Sequence, residues 1–129
     1  MLASPKIKYH ASDINENELS IIKEFFIKKK IQGETFVYDL RKIDDALPKA
    51  DLALLFKVLD IISQDKKTRS ILVEKIITKL PCKYILASFS TKKLSGKSMN
   101  FPKRIWFEKI LQKLNLNFKT FSAKNEIFY

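Results

Sequence analysis

Glycine is nearly absent from this 129-residue chain, since Gly33 and Gly96 are its only two and lie far apart. No glycine-rich loop that cradles a phosphate or a dinucleotide can be built from them. Cysteine is scarcer still. Cys82 alone excludes an internal disulfide and a cysteine-rich zinc site, and the single histidine, His10, argues against a multi-histidine metal centre. No apolar run reaches the roughly 18 residues that span a bilayer. No signal-peptide pattern opens the chain, so a cytoplasmic location away from membranes is expected.

Apolar residues and lysine are what the chain has. At 46% apolar it can bury a core, and its length suits one domain or part of one. Twenty-five Lys and Arg against fourteen Asp and Glu give +11. Residues 1–60 hold ten of each sign, whereas residues 61–129 hold fifteen basic and four acidic side chains. The excess thus lies wholly in the second half. Such asymmetry points to a polyanion, most simply nucleic acid; a lysine-rich solvated surface has the same composition.

Strand and helix patterns alternate. Residues 6–12 (KIKYHAS) alternate and run into Asp13. Asn15 can cap a helix carrying Leu19, Ile22, Phe25 and Phe26 at helical spacing to about Lys30, with Gly33 as its stop. ETFVY (34–38) reads as a short strand. DLALLFKV (51–58) suits a buried parallel strand, although a helix fits the same apolar pattern. A helix is predicted over 66–79, stopped by Pro81. YILASF (84–89) is a second buried strand, followed by a polar loop over 90–100. Pro102 suits a first helical position, and Trp106, Phe107, Ile110, Leu111 and Leu114 line that helix. Short strands near 117–121 and 126–129 close the chain. The alternation predicts an α/β fold with a mostly parallel sheet.

Chemistry in such a sheet lies beyond the carboxyl ends of its strands. Those ends are Asp13, Asp39, Lys57 and the 88–97 loop. Asp13 is placed to accept ribose hydroxyls. Asp39 is placed to accept an adenine amino group, with Leu40 offering a backbone amide. Turn-forming or helix-capping aspartates give the same pattern.

Five blocks carry a family resemblance: YHASDI (9–14), ADLALLFKVL (50–59), ILASFSTKKLSGK (85–97), IWFEKI (105–110) and NEIFY (125–129). In order and spacing they resemble the aminoglycoside-resistance 16S rRNA guanine-N7 methyltransferases of the Arm type, over nearly the whole chain. The resemblance implies a class I, Rossmann-like methyltransferase fold that binds S-adenosylmethionine and modifies the decoding-site guanine of the small ribosomal subunit. It places Asp13 with Ile14 at the ribose and Asp39 with Leu40 near adenine. Lys57 falls near the methionine end or the target base. Ser88, Lys92, Ser95, Gly96 and Lys97 border the target, so Lys57, Ser88 and Lys97 are positioning candidates. Ser90 departs from the family's proline, and Ser98–Met99 is shorter than the family's segment there.

The family's first strand, its glycine-rich loop and an N-terminal RNA-binding domain have no counterpart. In class I order the first strand lies between the second and fourth. Without it two apolar strands keep open inner edges. The expectation is therefore a single partial domain over residues 1–129. It would be the carboxyl-terminal part of a split or truncated enzyme, completed by an N-terminal partner polypeptide or by a homodimeric sheet.

Methylation at guanine N7 needs no catalytic base, because the attacking lone pair is exposed. Positioning and water exclusion supply the rate. Cys82 after Pro81 is similar to the Pro-Cys pair of cytosine-C5 methyltransferases, but at the start of its strand a packing role fits better. His10 within a strand, and Trp106 sharing a helical face with Ile110 and Leu114, also read as packing residues. Lys92, Lys93, Lys97, Lys103 and Arg104 fall within thirteen residues around the target loop. They are candidates for phosphate contacts to ribosomal RNA, against the plainer reading of a solvated loop. Two function classes result: part of an rRNA methyltransferase, or a non-catalytic RNA-binding or ribosome-assembly module on a degenerate methyltransferase fold.

Overall fold

The computed structural model describes residues 6–129. The chain divides into two compact units, one ending at Ile43 and the other covering Asp44–Tyr129.

The first unit is a strand–helix–strand. β1 (Tyr9–Asp13) leads into α1 (Glu16–Lys28), and β2 (Gly33–Val37) returns parallel to β1 with Tyr9 opposite Gly33 and Asp13 opposite Val37. Asn15 caps α1, its side chain accepting from the Asn17 amide at 3.0 Å. Glu16 and Glu18 in the first turn and Lys28 in the last complement the helix dipole. The helix ends before Gly33. Lys30 takes the left-handed conformation (φ 53°), and the amides of Lys30 and Ile31 donate to Ile27 and Phe26. That pair of bonds is a Schellman stop made without glycine. Gly33 instead makes room for a side chain, since a Cβ there would lie 2.7 Å from the Phe26 ring. Leu19 is buried and Phe26 lies against Tyr9, ring centres 5.9 Å apart.

The second unit contains β3 (Ala50–Phe56), α2 (Lys66–Lys79), β4 (Cys82–Ser90), α3 (Ile105–Lys113), β5 (Phe121–Ala123) and β6 (Glu126–Phe128). The apolar run at 51–58 is a strand, so the helical alternative falls. The sheet order is β3-β4-β6-β5. β3 and β4 are parallel, whereas β6 runs antiparallel to both β4 and β5. Helix-linked strands are thus parallel in both units, and the hairpin at the end makes the larger sheet mixed. β1 and β3 belong to different sheets, and each stands at the end of its own.

Asp65 caps α2 by accepting from the Thr68 amide at 2.6 Å, and the helix ends just before Pro81. α3 begins at Ile105, so Pro102 precedes it by three residues and is not its first position. The first of the closing strands starts at Phe121, because Asn115 (φ 55°) first turns the chain out of α3. Val73, Ile76 and Ile77 of α2, and Phe107, Ile110 and Leu111 of α3, form the core with Leu55, Ala87, Phe89 and Ile127 of the sheet. Phe89 is its hub, with ring centres of Phe107, Tyr129 and Trp106 within 5.2, 5.7 and 5.9 Å. Trp106 sits at the core's margin, where the Arg69 guanidinium stacks 4.3 Å over its ring.

Candidate functional site

In the first unit the predicted residues gather where β1 and β2 end. Asp13 closes β1, and its backbone carbonyl accepts from the Tyr38 amide at 2.9 Å, which ties that end to the segment leaving β2. The Asp13 carboxylate accepts from the Asn15 amide at 2.8 Å. Ile14, beside it, is exposed. Asp39 caps the single 3-10 turn Leu40–Lys42 and accepts from the Arg41 amide and, through both oxygens, from the Arg41 guanidinium at 2.9 and 3.0 Å. That side-chain bond to Arg41 holds the Asp39 carboxyl below its ordinary value. Both aspartates therefore make the turn and cap bonds that the plainer reading of the sequence foresees.

The second unit builds a cluster at the ends of β3 and β4. Lys57 turns out of β3 in the left-handed conformation (φ 55°), its amide donating to the Ser88 carbonyl at 3.0 Å. That turn directs its ammonium onto Glu126, 3.0 Å away. Ser88 and Lys57, in that order, hold the Glu126 carboxyl below its ordinary value. The buried Ser88 hydroxyl meets no partner at strict hydrogen-bond geometry, so the ion pair is the firmer of these two contacts. Glu126 escaped the sequence reading. The signal was its place in NEIFY: β6 pairs Ser90 with Glu126, carrying the carboxylate to the end of β4.

The 90–104 loop separates its cations into two groups. Lys92 bridges to Ser98, and the Lys93 amide donates to the Lys97 carbonyl, closing a small turn that needs Gly96 at φ 81°. Lys92, Lys93, Lys97 and Lys103 are exposed, as are the apolar Leu94 and Phe101 between them. Arg104 turns inward, its side chain only 11% exposed. Its guanidinium donates to both Asp60 oxygens and to the carbonyls of Ser90 and Pro102, and lies 5.3 Å over Phe89. The structure thus sets Arg104 apart from the four lysines as the anchor of their loop. Its amide also donates to the Tyr129 hydroxyl, which in turn donates to Glu108.

Of the other residues weighed from sequence, Cys82 opens β4, where burial raises its thiol pKa. His10 on β1 lies 2.7 Å from Glu34, its register partner on β2. A shallow depression lined by Ile71, Glu74, Lys75, Thr78, Lys79 and Lys113 lies on α2 and α3, away from the strand ends.

Parallel strand–helix units closed by an antiparallel strand slotted inside the sheet define an α/β fold of the class I methyltransferase type. The chain belongs to the FmrO family of ribosomal RNA methyltransferases, whose model matches residues 1–125. Its fold is similar to that of 16S rRNA methyltransferase RmtF, solved with S-adenosyl-L-homocysteine (TM-score 0.74, 20% identity, 99% of this chain and 55% of that one). It is also similar to the 16S rRNA methylase ArmA (TM-score 0.63, 23% identity, 98% and 62%). An rRNA methylase from Escherichia coli matches with TM-score 0.63 and 17% identity over 93% and 46%. The chain therefore spans about half to three fifths of the length of these structures. No curated protein sequence matches significantly. The five resemblance blocks now have structural places: β1, β3, β4 with its loop, the start of α3, and β6.

Proposed function

We propose that this chain supplies the adenosine-binding and RNA-facing part of an S-adenosylmethionine-dependent methyltransferase acting on guanine N7 of small-subunit ribosomal RNA. It works with an N-terminal polypeptide that supplies the remainder of the cofactor site. The observation that carries this reading is the family match over residues 1–125.

The residues fit the cofactor in part. Carboxylates at the ends of adjacent strands suit the hydroxyl and amino donors of an adenosine: Asp13 with Ile14 would hold the ribose, and Asp39 with the Leu40 amide the adenine. For that, Asp39 would exchange some of its bonding with Arg41. With two glycines, the chain offers no glycine-rich cradle for the methionine end. When bound, S-adenosylmethionine supplies a methyl group activated on a sulfonium. Lys57, held by Glu126, would orient the base or the methionine end, while Ser88 and Lys97 border the target. No residue has to take a proton before N7 attacks, so alignment and the exclusion of water are this chain's contributions. Lys92, Lys93, Lys97 and Lys103 would contact rRNA phosphates, and Arg104 would keep their loop in place.

Calorimetry with S-adenosylmethionine on the chain in its native assembly tests the reading. Saturable binding is expected, weakened about 10–100-fold by Asp13→Ala, as for loss of a hydrogen bond to a charged group. No binding by the unaltered assembly, with affinity for small ribosomal subunits intact, would identify a non-catalytic RNA-binding module instead.

A further inference from the structure

Phe101 is the barest aromatic residue among those described: it is 89% exposed, and no described ring lies against it. A single bare ring is ordinary on a protein surface. Its setting here is not. Two residues before it, the Met99 amide donates to the Thr91 carbonyl at 2.8 Å, and just after it the Pro102 carbonyl accepts from Arg104. Proline at 102 also confines the Phe101 backbone to extended conformations. The ring thus stands on a backbone held from both sides, so little entropy is lost when a partner stacks on it. Its surroundings are cationic. Lys92 bridges to Ser98 and the Lys93 amide donates to the Lys97 carbonyl, which makes 91–99 a short hairpin with Lys93 opposite Lys97. Like charges directly across a hairpin destabilise it. No nearby acid offsets them. The sequence has none between Glu74 and Glu108, and the carboxylates at the loop's base, Asp60 and Glu126, are bonded to Arg104 and Lys57. The loop's charge suits a polyanion, and the ring suits a partner with a π-face. A nucleic-acid strand with unstacked bases has both.

We propose that Phe101 is a stacking platform for an unpaired base of small-subunit rRNA, with Lys97 and Lys103 on either side of it meeting phosphates of the same strand. The proposal rests on the rRNA methyltransferase reading and adds to it a residue that positions the substrate. Lysines are flexible point charges: they hold a phosphate but do not orient a base. A ring on a fixed backbone does. Guanine N7 faces the major groove, which in an RNA helix is too deep and narrow for side chains to reach. The strand must therefore be opened for methyl transfer, and an open strand offers base faces for the ring to take up. An anionic lipid surface would also suit a bare ring among lysines. The family match to ribosomal RNA methyltransferases selects RNA.

The test measures binding of purified small ribosomal subunits by the chain in its native assembly, across a series of salt concentrations. Phe101→Leu, which keeps an apolar side chain but removes the π-face, should weaken binding about 10-fold or more, as for loss of one base–aromatic stack. The loss should be the same at every salt concentration, because the ring neutralises no phosphate. Phe101→Trp should bind at least as tightly as the unaltered chain. Ile71→Ala, at an exposed apolar position on α2, should leave binding alone, and all three variants should keep the urea midpoint. Undiminished binding by Phe101→Leu, with S-adenosylmethionine still bound and methyl still transferred, would overturn the proposal and leave the methyltransferase reading standing. Equal losses for Phe101→Leu and Phe101→Trp, or a matching loss for Ile71→Ala, would overturn it too. So would saturable binding to phosphatidylglycerol vesicles that Phe101→Leu abolishes while subunit binding stays intact, which would assign the ring to lipid. The expected pattern in an assembly that binds no S-adenosylmethionine would sink the methyltransferase reading and leave the stacking ring in place.

Discussion

Arg104 shows how one side chain can anchor a loop that composition alone reads as a cluster of outward cations. Its fork meets the Asp60 carboxylate and two loop carbonyls in a part-buried setting. Arg104→Ala should lower stability by about 2 kcal/mol, the scale of a charged hydrogen bond. Urea unfolding should show Asp60→Ala costing a similar amount and the double variant less than the sum. Arg104→Lys should not rescue, since an ammonium cannot span both carboxylate oxygens and the carbonyls. Nothing in the sequence separates Arg104 from neighbouring Lys103, because its partner Asp60 is 44 positions away. Acid should destabilise the fold for a related reason. Asp39, Asp65 and Glu126 all have lowered carboxyl pKa values, caused first by Arg41, Thr68 and Ser88 respectively. The folded chain therefore binds fewer protons than the unfolded one as pH drops through the ordinary carboxylate range. Their contribution is complete at neutral pH and is lost as pH falls toward the folded values. The urea midpoint should drop between about pH 5 and pH 3; a flat profile would contradict the Arg41 and Thr68 bonds and the Lys57–Glu126 ion pair. Cys82, with its thiol pKa raised by burial, should react slowly with a disulfide reagent at pH 7.5 until the chain is unfolded.

Elements with a chemical start signal were readable from sequence. Asn15 and the 66–79 pattern placed α1 and α2 almost to the residue, because caps and apolar spacing are local. Asn15→Ala should cost about 1 kcal/mol in urea unfolding. The misplaced boundaries depend on tertiary contacts. Gly33 stops no helix but makes room for the Phe26 ring, and Pro102 starts none but lends its carbonyl to Arg104. Charge identified the 90–104 loop, yet only the fold separates its outward lysines from its anchor. If the lysines meet rRNA phosphates, Lys97→Ala should reduce the salt slope of small-subunit binding by about one unit. An unchanged slope would place that side chain in solvent. Lys57 was legible as a strand-end residue, whereas its partner Glu126 was not, since a β6 inserted beside β4 brings them together.

At the scale of the whole molecule, the sequence carried the alternation and the order of the family blocks, and hence the fold class. The antiparallel insertion of β6 was not legible, because three-residue strands have too little pattern to show their partners. Helix-linked parallel strands in both units, with β6 slotted antiparallel beside β4, carry the class I methyltransferase-like fold. The most direct test is methyl transfer from tritiated S-adenosylmethionine to purified small ribosomal subunits, by the chain isolated in its native assembly. Label should enter 16S rRNA at a guanine whose N7 methylation makes the strand cleavable by borohydride and aniline, and Asp13→Ala should abolish most of it. Subunit binding without any transfer of label would contradict the account.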